Sequence, residues 1–310
     1  MALGTDLFAI IACSKFRMIA QTMARGLDHI VHAVRDLDAG ADLYRRLGFT
    51  VGARNRHPWG THNHIVQLPG FFVEVLTMAE PEKLGDDGIS KLFGDYNRRF
   101  LEAGEGFSLL ILESHDAQAD ARAFDAAKIA ASDVVRFERE GKRPDGSPVK
   151  VAFSLAFARD ALSPAHHFAV CQQHYPENFW NPAYQRHANA VMGVGGVVMV
   201  ADNPSDHHIF LSAFVGEREL QSSSAGITVA TPRGDVQVMA PTAYRDHFGI
   251  DSPDIATGGR LAALRLVSSD LTATEASLTS GGFSPVHRMG RIVVPSEQAF
   301  GAALVFEAAH

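Results

Sequence analysis

Cysteine is nearly absent from this 310-residue chain, which has only Cys13 and Cys171. Two thiols exclude a disulfide framework and a cysteine-rich zinc site, and they make a reducing cytoplasm the expected compartment. No apolar run approaches the roughly 20 residues that span a membrane. LFAIIAC (7–13) is short and leads into SKFRM rather than a small-residue cleavage site. Blocks of like charge are missing as well. The formal net charge of -7 comes from interspersed acids and bases, which argues against a nucleic-acid partner that needs a basic stripe. Phosphate-binding loops are also lacking. GVGG at 193–196 precedes a strand instead of opening a helix, and neither a Gly-rich loop ending in Lys-Ser/Thr nor a Gly-x-Ser-x-Gly elbow occurs.

The apolar content of 46% and charged content of 20% are those of an ordinary globular protein. A chain of this length commonly divides into two cores. Histidine is plentiful, at 15 residues, and several cluster: His62 with His64, His166 with His167, His207 with His208. The stretch GLDHIVHAVRDL (26–37) sets two imidazoles three apart in a strand-like run. Alternation puts His29, Val31 and Ala33 on one face and Ile30, His32 and Val34 on the other.

A βαβββ pattern starts there and recurs. IVHAV is followed by a helix that Asp36 or Asp38 can cap and Gly48 ends, then by strands FTVGA, NHIVQL and FFVEVL. Further copies begin at FSLLILES (107–114), GGVVMVAD (195–202) and LAALRLVSSD (261–270), each with an Asp before its helix: Asp116, Asp202 and Asp270. One such unit cannot bury its own concave face, so units must pair. The Pro-, Asn- and aromatic-rich stretch PENFWNPAYQRHAN (176–189) divides the first two copies from the last two. The expected organisation is an N-terminal extension 1–22, a first domain 23–175, a linker 176–190 and a second domain 191–310.

Four tandem βαβββ units opened by LDHIVHAVRDLDAGADLYRRLGF resemble the vicinal oxygen chelate superfamily of glyoxalase I, extradiol dioxygenases and bleomycin-resistance proteins. HPWGTHNHIVQLPGFFVEVL resembles more narrowly its glyoxalase-like branch. The resemblance implies an α+β fold in which paired units make two open, cup-shaped mixed sheets with helices outside. It also implies a divalent metal in the cup, chelating two neighbouring oxygens of a small-molecule substrate in isomerase, lyase or ring-cleaving dioxygenase chemistry. The alternative it allows is a non-catalytic binding protein of the bleomycin-resistance type. A homodimer is compatible with either.

Carried over by position, the first-strand ligand is His29 and the fourth-strand ligand Glu74. A carboxylate between two valines is costly unless paired or bound to a cation; an inward Glu paired with a nearby Arg or His is the structural alternative. Imidazole plus carboxylate suits Zn, Fe(II), Mn or Ni alike. First strands of the other units offer Leu109, Gly195 and Ala263, none of which ligates. HFAVCQQHYPE offers Gln172, Gln173 or His174 by register; His174 is the better metal ligand and Gln172 a weaker partner for metal or substrate. Glu307 matches the Glu74 position in the fourth unit without a histidine partner. Arg56, His57, Trp59 and Asn63 in RHPWGTHN are candidates for holding an anionic or carbonyl group, with a turn stapled by Trp59 the plain alternative. Trp180 in the linker can wall the pocket or pack between domains. His64 and His187 are candidate general bases.

Overall fold

The structure, a computed structural model, describes residues 24–142 and 147–309. The expected extension 1–22 and Cys13 lie outside the described residues. The first sheet takes strands β1 (Leu27–Ala33), β2 (Asn55–Arg56), β3 (Thr61–Leu68), β4 (Phe71–Met78), β5 (Gly106–Glu113), β6 (Val135–Lys142), β7 (Pro148–Ala158) and β8 (His167–Gln173). Their order is β2-β3-β4-β1-β5-β8-β7-β6. β1 runs parallel to β4 and antiparallel to β5, and β5 runs parallel to β8. Two βαβββ units therefore join edge to edge through β1 and β5. The strand expected at FTVGA is not laddered, though its Gly52 N–H donates to the Ile65 carbonyl; the ladder on that edge takes Asn55 and Arg56, opposite Asn63 and His62.

Helix α1 (Leu37–Arg46) is capped by Asp36, whose side chain accepts from the Asp38 and Ala39 N–H groups. It closes at Gly48, where φ is 90°, a conformation glycine adopts without strain. An element not anticipated from sequence follows β4. A π-helical turn (Ser90–Asp95) leads into α2 (Tyr96–Ala103), and Phe93, Tyr96, Phe100 and Leu101 pack with Val31, Leu109, Phe157 and Ala169. This insertion between the two units fills much of the concave side of the first sheet. The second unit's helix, α3 (Ala117–Ala126), is capped by Asp116.

The linker holds a short helix, α4 (Pro176–Phe179), and the second domain repeats the plan. Its strands β9 (Val191–Val200), β10 (Leu220–Ser223), β11 (Gly226–Ala230), β12 (Asp235–Met239), β13 (Arg260–Ser268), β14 (Val286–Arg288), β15 (Arg291–Val294) and β16 (Ala303–Ala308) order as β10-β11-β12-β9-β13-β16-β15-β14. Helices α5 (His208–Val215), α6 (Pro241–Phe248) and α7 (Leu271–Ser280) complete it. Asp270 caps α7. Asp202 caps nothing, because a 3-10 turn with Asn203 at its start precedes α5. The fold is thus α+β, with two eight-stranded mixed sheets.

The convex faces of both sheets and the helices between them form one continuous apolar core, from Ile30, Tyr44 and Phe124 to Phe214, Leu264 and Phe306. His32 sits in that layer, fully buried, 2.9 Å from the Tyr44 hydroxyl and 3.2 Å from the Phe300 carbonyl of the second domain. A second polar tie joins the domains. Asp160 Oδ2 lies 2.6 Å from His207 Nδ1, and the carboxylate also accepts from the Leu162 N–H and the Ser163 hydroxyl. Both side chains are buried. Asp160→Ala strands these donors without a partner and is expected to cost about 3–5 kcal/mol. Urea unfolding of the variant checks it; a loss below about 1 kcal/mol would count against the tie.

Candidate active site

The cup of the first domain is built from strand alternation, with one departure that creates its chemistry. Between Leu27 and His29 the pairing of β1 with β5 slips: Leu27 faces Leu112 and His29 faces Ile111, so Asp28 is the extra residue of a β-bulge. Leu27 consequently packs in the convex core beside Ile30. Asp28 and His29, which simple alternation would put on opposite faces, come together with Oδ2 2.6 Å from Nδ1. The carboxylate accepts from Nδ1–H, which leaves Nε2 as the acceptor nitrogen. Gln173 Nε2 donates to the other Asp28 oxygen at 3.0 Å. The His29 ring stacks on Phe72 at 4.2 Å, interplanar 11°.

Glu74 is opposite Val31 on β1 and Ile65 on β3, buried to 5% exposure. Its Oε1 accepts from Asn63 Nδ2 at 2.5 Å, and Asn63 Oδ1 accepts from Asn55 Nδ2 at 3.0 Å. Burial pushes the Glu74 carboxyl up from its ordinary value, against the pull of His29, the Asn63 bond and Arg139. Arg139, on β6, lies 3.4 Å from Asn55 Oδ1. Burial lowers the guanidinium from its usual value, opposed by the attraction of Glu74, and it stays cationic. The walls are aromatic and include Phe72, Phe93, Phe137, Phe153 and Phe179. His57 stacks on Trp59 at 4.6 Å and lies 2.8 Å from the Thr61 hydroxyl. Burial holds His57 down at about 3, so it is neutral. The Cys171 thiol also lines the cavity; burial first, then Asp28 and Glu74, raise it well above its usual range, which makes it a poor nucleophile.

Of the residues singled out from sequence, His29, His57, Trp59, Asn63 and Glu74 converge on this cavity. Others do not. His64 is on the opposite face of β3, 2.7 Å from the Gly52 carbonyl. His187 clamps the linker: Nδ1 accepts from the Thr50 N–H and Nε2 donates to the Gln67 carbonyl. With both nitrogens engaged it is no free base. His174 follows β8 on the convex side, 2.8 Å from the Ser154 hydroxyl, so it is not a third ligand beside His29. Gln172 also points away, its amide bonded to Ala117 N and His115 O. The register instead turns Gln173 inward, and its buried Oε1 has no hydrogen-bond partner. Arg56 is exposed, back to back with the inward Asn55. Trp180 stands at the mouth, 5.9 Å from Phe72. Asp28 and Arg139 were missed. Arg139 had a signal, because it shares a β6 face with Val135 and Phe137 in VVRFERE.

A protein-held divalent ion needs at least three donors, and the cup supplies His29 and Glu74. In the second unit Leu109 faces His167 and Ile111 faces Ala169, as His29 faces Phe72 and Val31 faces Glu74. The corresponding positions are therefore Leu109 and Ala169, neither a ligand. Among the described residues no three His, Cys, Asp or Glu side chains converge where an ion could sit. The donor set does not fit a metal held by the protein alone.

The second cup is occupied by its own side chains. Arg265 bonds Asp235 at 2.8 Å and Glu307 at 2.9 Å, and Arg291 bonds Glu307 at 3.1 Å. Burial pushes Glu307 up, but the two arginines outweigh it and the carboxyl ends below its ordinary value. In register Ala263 faces Ala303, so Glu307 is two residues beyond the Glu74 position, not on it. Tyr244 and Phe248 of α6 cover the rest.

Paired βαβββ units forming a cup with a polar cluster on the central strands define the vicinal oxygen chelate class. Within it, the chain belongs to the family described as glyoxalase-like domain, whose model matches residues 27–215. Among solved structures it is similar to a hypothetical protein from Staphylococcus aureus (TM-score 0.63, 13% identity, 92% of this chain and 99% of that one). It is also similar to a triple mutant of 4-hydroxymandelate synthase from Streptomyces coelicolor (0.57, 11%, 93% and 94%). A third is a xylose isomerase-like TIM barrel/4-hydroxyphenylpyruvate dioxygenase fusion protein (0.52, 11%, 93% and 49%). At these identities the likeness is one of fold. No curated protein sequence matches significantly. Among the described residues no helix is long and apolar enough to cross a membrane.

Proposed function

We propose that the first-domain cup is the active site of an enzyme that moves a proton on a small oxygenated organic molecule, with His29 as the general base. The observation that carries this reading is the bulge-made Asp28–His29 dyad, aimed into the same aromatic cavity as Glu74 and Arg139. Asp28 fixes the tautomer that leaves Nε2 a lone pair. Proton removal beside a carbonyl puts negative charge on its oxygen, and the Arg139 guanidinium in a water-poor site is suited to hold that charge. Glu74, with its carboxyl raised by burial, can hold a proton in the same cavity. The aromatic walls bind the apolar part of the molecule. A buried free thiol at Cys171 accords with the reducing cytoplasm as its compartment.

The family's divalent metal is the second reading, favoured by His29 and Glu74 standing on adjacent strands. The incomplete donor set weighs against it. The decisive experiment incubates the protein in deuterated water with a panel of small aldehydes, ketones and oxo-acids and follows deuterium at the carbon beside the carbonyl. Enzyme-dependent exchange that is lost in His29→Gln is the expected result. Binding without exchange across the panel would indicate a sequestering protein instead. Stoichiometric metal in the purified protein, vanishing in both His29→Ala and Glu74→Ala, would move the assignment to metal chemistry.

A further inference from the structure

The inner cavity is too small for a whole substrate of drug-like or even aromatic size. It offers ≈ 60 Å³, whereas a dry engineered cavity of about 150 Å³ is what accommodates benzene. By that ratio the compartment beside His29 and Glu74 takes two or three non-hydrogen atoms, roughly a carbonyl or carboxyl head. A second, larger space of ≈ 580 Å³ adjoins it. The two share Asn55, Ile65, Arg139 and Phe179 in their walls, so Arg139 and Phe179 form the neck between them.

The outer space is a groove between the β2–β3 edge and the linker. Gln67 straps the linker down on both sides of Trp180: its Nε2 donates to the Phe179 carbonyl at 2.9 Å and its Oε1 accepts from the Asn181 N–H at 3.0 Å. This hold keeps the Phe179 and Trp180 rings, 5.0 Å apart, over the neck and against Phe72. Ala53, Val149 and Val151 add apolar surface to the groove.

We infer that the binding site runs through the neck, and that its ligand is an elongated organic acid. The carboxyl head is the carbonyl of the proposed reaction: it lies in the inner compartment with an oxygen on Arg139 and its α-carbon toward His29, and an alkyl or aryl chain lies in the groove under Phe179 and Trp180. This rests on the proposal that the cup is the active site. It adds the size and shape of the molecule: the reactive end is small and terminal, and most of the binding surface is met by the chain. The acidic head follows from a single guanidinium at the neck, and the apolar chain from the aromatic rings fixed there.

Calorimetric titration with straight-chain carboxylates, from acetate to dodecanoate, tests this. Affinity is expected to rise about two- to fourfold for each methylene that enters the groove. Trp180→Ala should flatten that rise for long chains and leave butanoate unchanged. Ala53→Phe, at an exposed position on the groove wall, should block long chains while sparing short ones. Arg139→Met should weaken every member alike. Affinity independent of chain length, with deuterium exchange intact, would overturn the elongated ligand and leave the general-base reading standing. A long-chain preference with no exchange on any carbonyl compound would do the reverse. Failure of the whole series to bind would overturn the acid.

Discussion

Stability is expected to fall steeply as pH drops from about 6.5 towards 4, because three buried histidines and one half-buried one are held neutral. Burial lowers His32 and His167 to about 4 and His57 and His166 to about 3, against about 6.5 in an unfolded chain. The unfolded state therefore binds protons in that window that the native state excludes, and the slope of unfolding free energy against pH is positive there. Above about pH 6.5 both states are neutral at these sites and the full stability is present. At pH 5 each histidine forfeits on the order of 1–2 kcal/mol, so the four together forfeit several kcal/mol. That is comparable with the whole stability of a typical domain, about 5–15 kcal/mol. Glu74 works in the opposite direction, since protonating a buried carboxyl whose affinity for protons is raised relieves its desolvation. One carboxyl offsets a fraction of four imidazoles. Urea denaturation at a series of pH values between 7 and 4.5 measures the slope, and His32→Phe should reduce the proton uptake on unfolding by about one. A stability that is flat from pH 7 to 5 would mean that these rings are hydrated in the native state.

Repetition made the fold legible. Three capping aspartates and period-two strands are local features, and each is present in the structure. Asp202 shows the limit: the residue recurs, but an intervening 3-10 turn separates it from α5, whose start carries no side-chain cap. The insertion 81–103 escaped notice because it lies outside the βαβββ units, as does its counterpart α6 between β12 and β13, although its Phe93, Tyr96, Phe100 and Leu101 decide how little of the cup is left open. In the site, His29 and Glu74 were readable from alternation and resemblance. Asp28 was not, because alternation assigns it the wrong face and the bulge that corrects it exists only in the pairing with β5. The ambiguity among Gln172, Gln173 and His174 was likewise one of register. It resolves once Leu155 is seen to face Cys171 and Phe153 to face Gln173. That pairing puts Gln173 beside Asp28 and turns both neighbours outward.

That triad of Gln173, Asp28 and His29 gives the second large effect. Asp28→Ala removes the acceptor that holds His29 Nδ1–H and the negative charge that favours the protonated ring. In a Ser-His-Asp triad, replacing the carboxylate by asparagine costs about 10⁴ in rate through the wrong tautomer, so with the carboxylate deleted here proton transfer on a responsive carbonyl compound should fall by about 10³- to 10⁴-fold. Asp28→Asn should be milder, for a reason specific to this site. An asparagine can still present Oδ1 to Nδ1–H, provided its amide N–H₂ finds an acceptor on the other side. Gln173 supplies one by rotating its amide, since its Oε1 is now buried and unpaired. The tautomer is then kept and the charge alone is lost, so the fall should be about 10²-fold. Gln173→Leu combined with Asp28→Asn removes that rescue and should return the loss to the level of Asp28→Ala, while Gln173→Leu alone leaves the aspartate–histidine bond in place and costs little. Exchange rates across pH for the four variants distinguish these outcomes. Equal rates for Asp28→Ala and Asp28→Asn would remove Gln173 from the mechanism, and wild-type rates in both would remove the dyad itself.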